Sequence, residues 1–328
     1  MSWHINAKNV YKINTVSYHT AVKSIFLYGG AQIHTDINHL KGFFLGCSAG
    51  LLWSFGALIV RYMVEAQTYR WQYLFFRGLT IASVLSVYIL LKEGKIFIRN
   101  FIDNGVSGLL GAFGLVAAFI GFIWSITLTT AANALFMMAT TPFIAAFMGI
   151  VFLKEKIRLQ TWIAMFIALS GILIMVAEEL EKDSVIGSLI ALLSATGFAV
   201  FSVSLRWRKE TPQFTTIAFA GILCMIFTML ILVLQNTSIV MPLRNICLSM
   251  LHGFVVSIGL ILFATGAKFL PAVELTLLSM VEVVGGVLWV YLPIFGINET
   301  PSMLTMIGGI TLLIAIVLDS AGTGKKPE

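Results

Sequence analysis

Ala131–Glu155 reads AANALFMMATTPFIAAFMGIVFLKE, an apolar run with Pro142 near its middle and a charge cluster at its end. About 20 apolar residues cross the hydrocarbon core of a bilayer, so this run is long enough to span it. The stretch is also written twice. Sliding the chain by about 141 positions lays Phe263–Leu278, FATGAKFLPAVELTLL, over Phe122–Met137, FIWSITLTTAANALFM. A repeat of this length inside an apolar chain points to a membrane protein built from two halves, the architecture of carriers.

Composition agrees. The 328 residues are 59% hydrophobic and only 11% charged, with a mean hydropathy of +0.95, whereas soluble domains carry about 25% charged residues. The chain reads as an all-α integral membrane protein. Its net charge of +6 is spread over short basic clusters between apolar spans, the pattern of membrane orientation, so nucleic acid is not an expected partner. Cys47, Cys224 and Cys247 have no CxxC neighbour and read as small apolar residues, with no disulfide framework or zinc site.

From Gly42 onward ten candidate spans follow, approximately 42–60, 73–91, 106–128, 131–153, 161–176, 187–205, 214–234, 246–269, 272–292 and 303–318. Continuous apolar runs, without alternation of apolar and polar residues, specify helices and not a barrel. Thr129-Thr130 and Leu270-Pro271 leave almost no loop, so the spans on either side form antiparallel hairpins. Residues 1–40 carry no apolar core of a secretory signal and read as a flexible cytoplasmic tail. Their histidines, His4, His19, His34 and His39, share no helical face and predict no metal site.

With the amino terminus inside, sixteen of the 21 Lys and Arg residues fall on the cytoplasmic side, with Arg61, Arg70, Lys182 and Arg244 outside and Arg77 within a span. The positive-inside rule therefore places both termini in the cytoplasm, in a multi-pass protein of the cell (inner) membrane. A shift of 145 also pairs Gly42 with Gly187, Trp53 with Phe198 and Arg61 with Arg206. Five spans per half is an odd number, which turns the second half upside down relative to the first. The expected organisation is a 1–40 tail, a five-helix repeat over 41–180, a second over 185–320 and a cytoplasmic tail over 321–328, with a cavity near the midplane between the repeats.

At these residues the sequence resembles the EamA family of the drug/metabolite transporter superfamily, over about 42–320. The likeness is carried by the glycine-rich first span with Trp53, Phe76-Arg77-Gly78, Thr130–Asn133, Thr141-Pro142 and Leu153-Lys154-Glu155. In the second half it is carried by Ala267–Glu274, Glu282, Gly296–Glu299 and Gly308-Gly309. The resemblance implies secondary transport of a small metabolite or drug-like solute by alternating access, as export or exchange. Where the family often has Glu-Pro, this chain has Glu282-Val283, so the ninth span need not kink there and a hinge role carries over to Pro142 alone.

Two charges lie within spans. Glu282, about ten residues from either end of its span, is placed where a charge costs about 2.5–3.5 kcal/mol on insertion scales. It reads as a proton-coupling carboxylate, a ligand for a substrate amine, or a structural carboxyl. Arg77 suits a carboxylate or phosphate in a cavity, or a structural partner. Trp53, midway along its span, needs a partner for its indole N–H that lipid does not offer. With Trp124, Asn133 and Glu274 it forms the expected substrate-cavity set, although hydrogen bonding between helices explains Asn133 and Glu274 equally well. Gly42, Gly46, Gly50 and Ser54 make a smooth helical stripe, suited to packing within the monomer or to a homodimer seam. His252 reads as a structural histidine.

No Walker loop, HExxH or nucleophile elbow is present, and no catalytic residue, cofactor or metal is assigned. The rivals to a carrier are a membrane-embedded enzyme, for which a cluster of reactive side chains in one layer is missing, and a non-transporting scaffold. The expected partners are the lipid bilayer and a small-molecule solute.

Overall fold

Inside hydrocarbon every peptide group must find its partner within the protein, and each apolar run meets this by folding as a helix. The computed structural model describes residues 37–94, 99–100, 103, 105–179, 185–207, 213–297, 300 and 303–321. The expected tails over 1–36 and 322–328, and several of the counted basic residues, lie outside the described residues. The helices are α1 (Ile37–Arg61, with a turn at Ser54), α2 (Arg70–Glu93), α3 (Gly105–Leu128), α4 (Ala131–Met138) and α5 (Thr141–Met148). There follow α6 (Leu159–Glu179), α7 (Val185–Trp207), α8 (Gln213–Leu234), α9 (Leu243–Gly266), α10 (Ala272–Ser279), α11 (Val281–Tyr291) and α12 (Met303–Ala321). A π turn over Gly149–Leu153 continues α5. There is no strand among the described residues. Eight of the helical runs are long and apolar enough to cross a membrane, among them α4 with α5 and α10 with α11 as single runs, and two shorter apolar helices lie at Leu159–Ile174 and Met306–Asp319. Residues 37–40, assigned to the tail from sequence, belong to α1.

Helices meet where the sequence removes side chains. α3 packs along α7, α2 along α8, and α6 along α12. A Cβ on Gly114 would stand 2.7 Å from the Gly197 carbonyl oxygen. One on Gly221 would stand 2.7 Å from the Ala82 amide nitrogen, and one on Gly171 would stand 2.8 Å from the Gly308 carbonyl oxygen. Small residues let backbones touch where lipid gives no hydrophobic drive for association. The α1 stripe does the same within the monomer: Gly42 lies against Leu270, Gly46 against Leu275 and Leu278, and Gly50 against the backbone of Ser279.

Both central helices break. The first parts at Ala139-Thr140, where the Thr140 and Thr141 hydroxyls donate to the carbonyls of Met137 (2.8 Å) and Met138 (2.6 Å). Pro142, buried at the start of α5, has no N–H for the Met138 carbonyl, and Thr141 takes its place. The second break is a correction to the sequence reading: the run from Ala272 to Tyr291 parts at Met280 although Val283 stands where proline was expected. Here the Thr276 hydroxyl donates to Ala272 (2.9 Å) and the Ser279 hydroxyl to Thr276 (2.9 Å). Hydroxyls that bond back to carbonyls bend helices without a proline. Ala139 and Met280 share the same tight conformation, with φ/ψ of −66/−3 and −65/−6.

At one end of the bundle, Arg158 joins four elements. Its Nε lies 2.9 Å from the Glu274 carboxylate on α10, and its Nη2 lies 3.5 Å from Asp319 on α12. His39 on α1 reaches the other Glu274 oxygen at 3.2 Å, and Thr161 on α6 donates to Asp319 at 2.7 Å. Two measurements probe these constraints by thermal unfolding in detergent. Gly114→Ala must push two backbones apart and is expected to cost about 1–3 kcal/mol, while Leu91→Ala on the exposed face leaves the transition unmoved. Glu274→Gln removes the carboxylate that Arg158 and His39 share and is expected to cost about 1–3 kcal/mol.

Candidate functional site

The two helix breaks line one pocket. Ala139 and Thr141 line it from one break, and Ser279, Met280, Glu282 and Val283 from the other. Its remaining wall is largely apolar: Trp53 from α1, Leu115, Phe119 and Phe122 from α3, Phe198 from α7, and Val256 and Leu260 from α9. A pocket that is largely apolar with a few polar groups is of the kind that takes a small solute.

Three ionisable side chains line this space. Arg77 is 4% exposed, and its guanidinium lies over the Phe119 ring at 4.6 Å from the centroid and farther from Phe122, at 6.0 Å. Its Nε and Nη1 are buried without a hydrogen-bond partner. Glu282 opens the first turn of α11, is half-buried and lines the cavity. His252 is buried, with Nδ1 3.0 Å from the Tyr73 hydroxyl and Nε2 packed toward Gly56. Trp53 donates its indole N–H to the Val256 carbonyl at 3.4 Å and packs edge-on to Phe198 at 5.3 Å. Gly259 leaves the room that this indole fills.

Of the residues singled out in the sequence, the cavity brings together Trp53, Arg77 and Glu282, with Thr141 beside Pro142. Trp124, Asn133 and Glu274 lie elsewhere. Trp124 carries the Arg70 guanidinium at 4.4 Å and packs on Trp71. The Asn133 amide donates to Thr129 (2.8 Å) and Ser188 (3.0 Å), bracing the start of α4 against α7. Glu274 belongs to the Arg158 cluster. A periodicity argument fixes which residues share a helix face but not which way that face turns, and Asn133 and Glu274 begin their helices too far from the breaks to reach the cavity. Phe119, Phe122 and His252 escaped notice as cavity residues. Their signal was the coincidence of rings on α3 with the buried charge of Arg77 on α2, which becomes visible only when the two helices are docked.

Two further arginines cap helix ends. Arg61 donates to the carbonyls of Ile126 (3.0 Å) and Thr129 (3.1 Å) at the end of α3. Arg206 donates to Ala267 (3.0 Å) just beyond α9 and to Glu155 (3.0 Å). Among the described residues no group of three or more His, Cys, Asp and Glu side chains is arranged to hold a metal ion.

Comparison with curated proteins finds no match. A crystal structure with 18% sequence identity is similar in fold, with a TM-score of 0.64 over 84% of this chain and 95% of its own. Residues 40–177 match the EamA-like transporter family, a family of the drug/metabolite transporter superfamily.

Proposed function

We infer that the chain is a secondary carrier that moves a small metabolite or drug-like solute by alternating access, built from ten spans as two inverted five-helix repeats. The observation that carries this reading is the cavity between two helix breaks at equivalent positions. Ala139 and Met280 are 141 residues apart, the spacing of the sequence repeat. Other equivalent positions support it. Arg61 and Arg206 each cap the end of a third helix in one half, Gly78 and Gly221 meet at the α2–α8 crossing, and Trp53 touches its counterpart Phe198. Asn133 and Glu274, also 141 apart, each brace the start of a first helix, α7 and α1. Positions related by a two-fold axis in the membrane plane meet in this way, and helices broken near that axis can close the cavity alternately toward either side. The family resemblance favours export or exchange, and the basic clusters favour cytoplasmic termini.

Proteoliposomes holding the purified chain test the reading by counterflow of amino acids, organic acids, amines and nucleosides. At least one class is expected to accumulate beyond empty liposomes, and Trp53→Leu is expected to cut its rate by about tenfold at an unchanged amount of folded protein, a change of about 1.4 kcal/mol in the barrier. Uptake equal to empty liposomes across the panel contradicts transport. A reporter fused after Lys326 is expected on the cytoplasmic side; an external signal contradicts the ten-span arrangement.

A further inference from the structure

Lys92 lies in the last turn of α2 and Lys268 in the turn between α9 and α10, yet both bring their ammonium groups to one side chain. Lys92 Nζ stands over the Phe214 ring at 4.7 Å from its centroid, and Lys268 Nζ stands over the same ring at 6.0 Å. Phe214 belongs to the first turn of α8 and is buried, packed edge-on against Tyr88 of α2 at 5.1 Å. Lys92 Nζ also donates to the Tyr88 hydroxyl across a long 3.5 Å. Both lysines are exposed. Among the described residues neither has a carboxylate within 4.0 Å. By contrast, Arg99, Arg158 and Arg206 near the same end of the bundle each meet one, on Asp103, Glu274 and Glu155.

Two like charges gathered at one ring repel each other, and a cation–π contact at an exposed site is weak and leaves each charge in place. The helix ends nearby supply only partial charges: the C-termini of α2 and α9 favour the lysines, and the N-terminus of α8 opposes them. The pair is therefore open to a full anion. Toward the middle of the membrane from Lys92, α2 turns Val87, Leu90 and Leu91 outward, 57%, 55% and 83% exposed. Two cations above an exposed apolar track match the two ends of a phospholipid, the phosphate and the acyl chain, and basic pockets between membrane helices take such head groups. We propose that an anionic phospholipid of the adjoining leaflet docks here, its phosphodiester between Lys92 and Lys268 and an acyl chain along Val87, Leu90 and Leu91. The basic clusters favour the cytoplasmic leaflet, where anionic lipids attract Lys and Arg. The phosphate then joins the end of α2 to the α9–α10 turn, whose Leu270 packs against Gly42 of α1.

Native mass spectrometry of the full chain with phosphatidylglycerol and phosphatidylcholine of identical acyl chains tests the proposal, because the two lipids differ in net head-group charge. Phosphatidylglycerol is expected to bind at least about tenfold more tightly. Each lysine beside an anionic lipid contributes about fivefold, the equivalent of about 1 kcal/mol. Lys92→Gln and Lys268→Gln are therefore each expected to cut the preference about fivefold, and together to remove it. If the double variant does not fold, the single variants carry the test. Lys154→Gln with Lys156→Gln removes the same charge at exposed lysines outside the cluster, and is expected to leave the preference within about twofold. Equal binding of the two lipids by the wild-type chain overturns the proposal. An equal loss in the two double variants also overturns it, by assigning the preference to general surface charge. Glycerol 3-phosphate carries the phosphate without the chains; if it binds as tightly as phosphatidylglycerol, the site takes a soluble anion and the lipid proposal fails. The measurement involves neither transport nor sidedness, so its outcome is independent of the carrier reading.

Discussion

A carbonyl freed inside a bilayer has no water to turn to, and this constraint shapes the centre of the molecule. Two long helices are interrupted at Ala139 and Met280, which would strand carbonyls in hydrocarbon. Hydroxyls at the breaks take them up, from Thr140 and Thr141 at the first and from Ser279 at the second. With its backbone satisfied locally, each break can turn toward open space. Gly50 then lets α1 close against the backbone of Ser279, so the wall around the second break is made by contact between main chains.

The charges divide along the same line. Arg61, Arg70, Arg158 and Arg206 are tied to helix ends, hydroxyls or carboxylates, and they lock the two ends of the bundle. Arg77 and Glu282 are left facing the cavity.

Much of the fold was legible in the sequence because membrane helices are written in composition. The membrane-length helices and the tight turns at Thr129-Thr130 and Leu270-Pro271 follow from apolar length, and eight of those helices among the described residues are long and apolar enough to cross a membrane. The glycine stripe of α1 was legible as a contact face, and the structure shows its partner to be Leu270–Ser279. The break at Met280 was not legible, since proline is a loud signal while hydroxyl back-bonding is common to many straight helices. The site was legible only in part. Trp53, Arg77 and Glu282 stand out by the cost of placing them in a membrane, whereas Asn133 and Glu274 carry the same signal and spend it on bracing helix ends. Burial cost marks a residue as needing a partner, and only the docked helices show whether the protein supplies one.

The central claim is that the helix breaks open onto a space that solute and water reach. Thiol labelling tests it most directly, on a chain in which Cys47, Cys224 and Cys247 are replaced by alanine and single cysteines are placed at Met280, in the cavity wall, and at Leu277, in the packed core of α10. In native membranes Met280→Cys is expected to react rapidly with a charged, membrane-impermeant methanethiosulfonate, and Leu277→Cys to resist it. Equal protection of both positions would mean that the breaks close onto a sealed void, and would contradict the account.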